Sequence, residues 1–191
     1  MRIFILNGHP DPAPGRLCQA LADAYAEGAR TGGHEVRRLA VGGMELPLLR
    51  SEGEFNQTTP PPAARQTQEA LEWAEHWVLI YPLWLGTMPA ATKALLEQTL
   101  RPGFATDTAG RWPGGRLQGR SARVVVTMGM PALAYRWWFG AHSLKSLERN
   151  ILKFCGIGPV RETLYGMVAA ASARKRQGWL AEMRSLGERG R

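Results

Sequence analysis

Short apolar runs alternate with amphipathic stretches five times along the chain, and this alternation leaves few folds open. Residues 2–7, 35–40, 78–81, 122–127 and 160–165 read as strands, the second of them less apolar and nearer an edge. From Leu17 the apolar positions Leu17, Ala20, Leu21, Ala24 and Tyr25 follow the spacing of one helix face, and Gly32-Gly33 ends that helix. Further helices are expected over residues 63–76, 89–100, 143–155 and 172–186. Strand followed by helix, repeated, is the signature of a parallel sheet covered on both faces. Residues 1–191 therefore read as one α/β domain without internal repeats. Residues 42–65 read as irregular, because Pro60-Pro61-Pro62 forbids a regular element there. Residues 101–117 read as a Gly/Pro-rich loop with Gly103-Phe104 and Trp112-Pro113 as its apolar points.

Composition narrows the partners. Apolar residues make up 45% and charged residues 21%, which excludes a disordered chain. The net charge of +8 comes from 24 Lys and Arg against 16 Asp and Glu. Part of the excess sits at Arg174, Lys175, Arg176, Arg184, Arg189 and Arg191. No basic run reaches the density of a nucleic-acid patch, so no nucleic-acid partner is expected. The plain reading of the charge is a solubilised surface; an anionic membrane surface or phosphorylated small molecules are the functional ones. Cys18 and Cys155 lie far apart and build neither a disulfide framework nor a zinc site, and no metal site is expected. The uncharged stretch 76–92 is broken by Pro82, Gly86 and Pro89 and falls short of a bilayer span. With no signal-peptide core at the N-terminus, a soluble cytoplasmic protein is the expectation.

The segment 78–93 reads as a buried strand, an uncharged loop at 82–88 and a helix opened by Pro89. Ligands of open α/β sheets bind at such carboxyl strand ends. The chain lacks a Walker loop, a G-x-G-x-x-G fingerprint and a G-x-S-x-G elbow. What remains is three loops, 8–16, 82–88 and 128–142, that leave one sheet edge after the first, third and fourth strands. In the strand order 2-1-3-4-5 the first and third strands flank the switch point where flavodoxin-like proteins hold FMN.

Four segments carry a specific resemblance: Asn7-Gly8-His9-Pro10-Asp11-Pro12, Tyr81-Pro82-Leu83-Trp84-Leu85-Gly86-Thr87-Met88-Pro89-Ala90, Pro102-Gly103-Phe104-Ala105, and Thr127-Met128-Gly129 with Tyr135. Together, and in this order, the chain resembles the NAD(P)H:quinone oxidoreductases. These flavodoxin-like enzymes include DT-diaphorase and the ancillary flavoproteins of potassium-efflux systems. The resemblance implies a doubly wound five-stranded sheet, a bound FMN or FAD, NAD(P)H as co-substrate, a homodimer, and ping-pong hydride transfer through flavin N5 to a quinone. It implies that His9 touches the phosphate–ribityl chain and that Arg16, Leu17 and Cys18 meet the phosphate at a helix N-terminus. It further implies that Pro82, Leu83, Trp84, Leu85 and Gly86 line the ring, and that Thr127, Met128 and Gly129 sit against its pyrimidine end. Tyr135 and His142 take the catalytic positions. The family commonly has an aromatic where this chain has Leu85, and Ser-Phe where it has Arg16-Leu17.

Each of these residues also has a plainer reading. His9 suits an ordinary polar loop, Trp84 suits a core, and Tyr135 with Trp137, Trp138 and Phe139 suits an aromatic packing patch. The alternative functions are a regulatory flavoprotein docking on a membrane transporter, a flavin, nitro or azo reductase, and a flavodoxin-like electron carrier.

Overall fold

A computed structural model describes residues 1–57, 59–107 and 115–191, so the apolar points expected at Trp112 and Pro113 lie outside the described residues. Five strands, β1 (Arg2–Asn7), β2 (Glu35–Ala40), β3 (His76–Pro82), β4 (Ser121–Thr127) and β5 (Val160–Tyr165), form a parallel sheet. Their order is β2-β1-β3-β4-β5, as the resemblance implies. Helices α1 (Leu17–Thr31) and α6 (Ala173–Glu188) cover one face. The other face carries α3 (Pro62–Trp73), α4 (Ala90–Thr99) and α5 (His142–Ser146), the last continued by a π-helical stretch over Leu147–Lys153.

The central strands are apolar throughout because both of their faces are covered. Every residue of β3 is buried, whereas β2, at the edge, is not. Successive side chains alternate between two cores. Phe4, Leu6, Leu79, Tyr81, Val124 and Val126 enter the core under α3, α4 and α5. Ile3, Ile5, Val78, Ile80 and Val125 enter the one under α1 and α6.

Helices α1 and α6 meet backbone to backbone, and glycine permits it. A Cβ on Gly28 would lie 1.9 Å from the Arg184 carbonyl oxygen, and one on Gly187 would lie 2.2 Å from that of Tyr25. No side chain fits at either point.

Apart from shifts of one or two residues at other element ends, the structure differs from expectation at several points. Strand β3 begins two residues earlier and takes in Pro82, which had been assigned to the loop. Pro82 lies opposite Thr127 at the end of the β3–β4 ladder, where its missing N–H breaks nothing upstream. Within the region expected to be irregular, a short helix α2 (Glu52–Phe55) forms because the Ser51 hydroxyl accepts from Glu54 N at 3.1 Å. The helix expected over 63–76 stops at Trp73, because Ala74 is extended and leads into β3. The loop expected over 128–142 contains a π-helical turn at Ala134–Trp138. Among the described residues, no helix is long and apolar enough to cross a membrane.

Candidate functional site

The parallel register brings the carboxyl ends of β1, β3, β4 and β5 to one edge. The first loop there is knitted by its own short polar side chains. Asn7 accepts from His9 N through Oδ1 at 3.1 Å and donates to Gln19 Oε1 at 3.0 Å. His9 Nδ1 accepts from Asp11 N at 3.1 Å, which assigns the ring proton to Nε2. Asp11 Oδ1 accepts from Ala13 N at 2.8 Å, and the Arg16 guanidinium pairs with the same carboxylate. Arg16 is thus engaged inside its own loop and caps α1 without a side-chain hydrogen bond. Partial burial lowers the His9 pKa, opposed by the Asp11 contacts. The Ala13 N–H, and after it Arg16, hold the Asp11 carboxyl below its usual range. Thr92 of α4 donates through Oγ1 to the Gly8 carbonyl at 2.5 Å. A Cβ on Gly8 would lie 2.9 Å from the Thr92 methyl group, so the loop and α4 touch closely.

The second loop is a tight two-residue turn. Trp84 N and Thr87 N each donate to the other's carbonyl, at 2.8 and 3.0 Å. The two residues between, Leu85 at φ 45° and Gly86 at φ 79°, both have positive φ, the pattern of a type I′ turn. Leu85 is a non-glycine in the left-handed region, which costs about 1 kcal/mol, and its side chain stands wholly in solvent. Trp84 is half exposed and meets the His9 ring edge-on, with centroids 5.8 Å apart. That contact joins the first and second loops. Leu83 is half-buried and its N donates to Thr127 O at 2.7 Å. Pro82 is buried within the strand and so presents no edge to the loop cleft.

The third segment departs further from expectation. Thr127 and Met128 are buried. The Thr127 hydroxyl lies 3.4 Å from the Cys18 thiol on the α1 side, and Met128 packs into the opposite core. Both follow from strand alternation, which turns consecutive side chains to opposite faces before the loop begins. Cys18 is equally enclosed, and burial pushes its thiol up to about 11. Gly129 alone of this trio is exposed. The backbone N–H groups of Leu85, Gly86, Gly129 and Met130 have no protein partner among the described residues.

Tyr135 is buried in the π-helical turn. Its hydroxyl lies 2.8 Å from Ser143 Oγ and accepts from Leu144 N at 3.3 Å. The neighbouring Tyr81 hydroxyl is buried without a partner among the described residues; burial first, and Tyr135 second, raise its pKa. His142 opens α5 and is exposed, with its ring stacked close over Gly140.

A cleft of about 560 Å³ runs beside the second loop. Trp84, Leu85, Met88 and Lys93 form one wall, with Ser143 and Ile151 opposite. A second cleft of about 350 Å³ continues along α4, past Lys93 and Ile151 to Phe55 and Phe154. The structure therefore brings together His9, Trp84, Leu85, Gly86 and Gly129, while Thr127, Met128, Cys18 and Pro82 support them from behind. Ser143 and Lys93 were not foreseen as site residues. The only trace of Ser143 in the sequence is its eight-residue distance from Tyr135.

Similarity to known proteins bears on the fold. Ribosyldihydronicotinamide dehydrogenase (quinone) of Homo sapiens is 29% identical over 118 residues, which is 60% of this chain and 51% of that protein. The chain spans about half the length of the curated relatives it matches. The structure of an NAD(P)H:quinone oxidoreductase from Methanothermobacter marburgensis superposes with a TM-score of 0.86 at 21% identity, covering 100% of this chain and 99% of that one. An FMN-dependent NADH-azoreductase from Bacillus anthracis, solved with FMN, gives 0.74 at 15% identity and covers 98% of each chain. At these identities the superpositions show the fold. The family model for Flavodoxin_2, described as a flavodoxin-like fold, matches residues 1–186, and the chain belongs to that family.

Proposed function

We propose that the chain is a flavin-dependent NAD(P)H:quinone oxidoreductase, one flavin-binding domain over residues 1–191 that works as a homodimer with FMN or FAD. The observation that carries this reading is the His9–Trp84 contact, set beside backbone N–H groups without partners at the carboxyl edge. Free donors around a half-exposed indole suit a flat ring with carbonyl and ring-nitrogen acceptors. Helix α1 opens with no acidic residue in its first turn and no side-chain cap, so its dipole and amides are available to a phosphate. Names of similar proteins point the same way: one relative is a quinone dehydrogenase, and one structural neighbour holds FMN.

A bound flavin would supply the two-electron hydride chemistry between NAD(P)H and quinone. The chain's own residues would do the rest. His9 and the α1 N-terminus bind the phosphate end; Trp84, Leu85 and Gly86 hold the ring; Gly129 lets its backbone approach. Met88, Leu147 and Ile151 give the adjoining cleft an apolar lining that excludes water and accepts a flat, uncharged acceptor. Tyr135 Oη holds a proton that Ser143 Oγ can relay to the cleft, and the exposed His142 precedes Ser143 at the start of α5. The second cleft, with Phe154 half exposed, suits cover by a second copy.

The test is spectroscopic. Purified protein incubated with FMN or FAD should turn yellow and quench free flavin fluorescence. NADH or NADPH should bleach it, and a soluble quinone should restore the colour. Protein that stays colourless with both flavins overturns the reading. Flavin binding with turnover on azo or nitro compounds but not on quinones would move the activity to that class.

A further inference from the structure

The corner of the sheet edge beyond β4 and β5 carries a patch the flavin site does not use. We propose that this corner is a docking surface for an anionic lipid bilayer. The π-helical turn that buries Tyr135 exposes its neighbours on both sides: Leu133 is 71%, Trp137 79%, Trp138 86% and Phe139 54% exposed. Three consecutive aromatic side chains in water are costly, and a contiguous patch of this kind marks an interaction surface. The turn is held rigidly. Phe139 N donates to Ala134 O at 3.1 Å, Ala141 N to Tyr135 O at 3.0 Å, and Tyr135 anchors it to the core.

Basic groups share this corner of the sheet edge with the aromatics. The segment after β5 is strapped to the loop that leads into the turn: Met167 N donates to Met130 O at 3.0 Å and Val168 N to Met128 O at 3.1 Å. Gly166 passes so close to Ala132 N that a Cβ there would lie 2.4 Å away. This strap adds the exposed Met167 and delivers the start of α6, where Arg174, Lys175 and Arg176 are exposed. Arg176 ties α6 to the strap by donating to Val168 O at 3.1 Å. The nearby acids are already engaged, Glu162 with Arg136 and Glu182 with Tyr165.

Indole and phenyl side chains seat at the headgroup level of bilayers, and each Lys or Arg near an anionic surface adds about 1 kcal/mol. The net charge of +8 adds attraction over the whole chain. Charge also weighs against a second copy centred on this patch. A two-fold axis through the basic cluster would set Arg174, Lys175 and Arg176 near their own equivalents. The docking does not depend on the flavin reading, but it would put Tyr135 one turn from a lipid phase in which apolar acceptors concentrate.

Flotation of the full chain with vesicles of phosphatidylcholine, alone or mixed with phosphatidylglycerol, tests this. Wild type should float with the anionic vesicles only, and high salt should weaken the association. Trp137→Ser combined with Trp138→Ser should lower the bound fraction at least about tenfold. Arg174→Glu combined with Lys175→Glu should do the same, and decides the matter if the tryptophan variant fails to fold. No binding to anionic vesicles, or binding undiminished in these variants, overturns the proposal. So does a tryptophan variant that changes from dimer to monomer while its vesicle binding is unchanged, since the patch would then belong to a second copy.

Discussion

The Tyr135 hydroxyl and Ser143 Oγ lie 2.8 Å apart, with Leu144 N donating to the same phenolic oxygen at 3.3 Å. A buried phenol is thereby connected to a side chain that lines the cleft. If the phenol handles a proton in quinone reduction, Tyr135→Phe should lower kcat by about tenfold to a hundredfold while flavin content stays the same. Ser143→Ala removes one hydrogen bond and leaves the Leu144 contact. It should lower kcat by about threefold to tenfold, with KM for NAD(P)H unchanged. Stopped-flow traces of flavin reduction and reoxidation would separate the two half-reactions, and the loss should fall on reoxidation.

Leu85 occupies the left-handed region at φ 45° with its side chain free in water. Asn tolerates that backbone better than Leu. Leu85→Asn should therefore stabilise the fold by about 0.5 kcal/mol and raise Tm by about 1–2 °C in the absence of flavin. A fall in Tm would show that Leu85 makes stabilising contacts.

His76 sits fully buried at the start of β3, where Ser121 Oγ lies 2.7 Å from its Nδ1. Burial first, and then the charges of Arg123, Arg161 and His34, bring its pKa down to about 4 from an ordinary 6.5. The folded protein thus favours the neutral ring. Its contribution is complete above pH 6.5 and is lost as the pH falls from there through 4. Thermal melts should show a loss on the order of 3 kcal/mol by the lower end of that window. His76→Asn should be less stable at neutral pH but should lack this part of the acid dependence. Parallel pH profiles for the two proteins would count against the assignment.

Gly28 allows α1 to touch α6, and a methyl group there would overlap the Arg184 carbonyl. Gly28→Ala should cost about 3 kcal/mol or more, because backbone must move on one side or the other. Denaturant melts with an unchanged m-value and an earlier midpoint would confirm it. A neutral result would mean that the two helices slide apart at little cost.

Much of the architecture was readable because buried parallel strands are continuous apolar runs. β3 and β4 stand out for that reason, and the weaker β2 was readable as an edge. The loops were readable as a set, since strand ends in a parallel sheet share an edge. What escaped were features set by local geometry. The four-residue α2 depends on one serine cap, and the π-helical turn has no periodic signature at all. The side chains of Thr127 and Met128, expected against the pyrimidine end of a flavin, are buried. Parity could have shown this, because Val124 and Val126 already pointed to one core and Val125 to the other. Ser143 escaped because its partner Tyr135 lies eight positions away across Gly140 and the left-handed Ala141, a bend that no regular repeat predicts.

The Thr92–Gly8 hydrogen bond, at 2.5 Å, spans from α4 to the loop that carries His9. It joins two parts that, on the proposed reading, would face different ends of a bound flavin. Ordering the loop around a phosphate would then stiffen the helix that walls the neighbouring cleft, and filling the cleft would stiffen the loop. Linkage requires the two effects to be equal in free energy. An acceptor-side ligand would slow cofactor release by way of one threonine hydroxyl, without touching the cofactor.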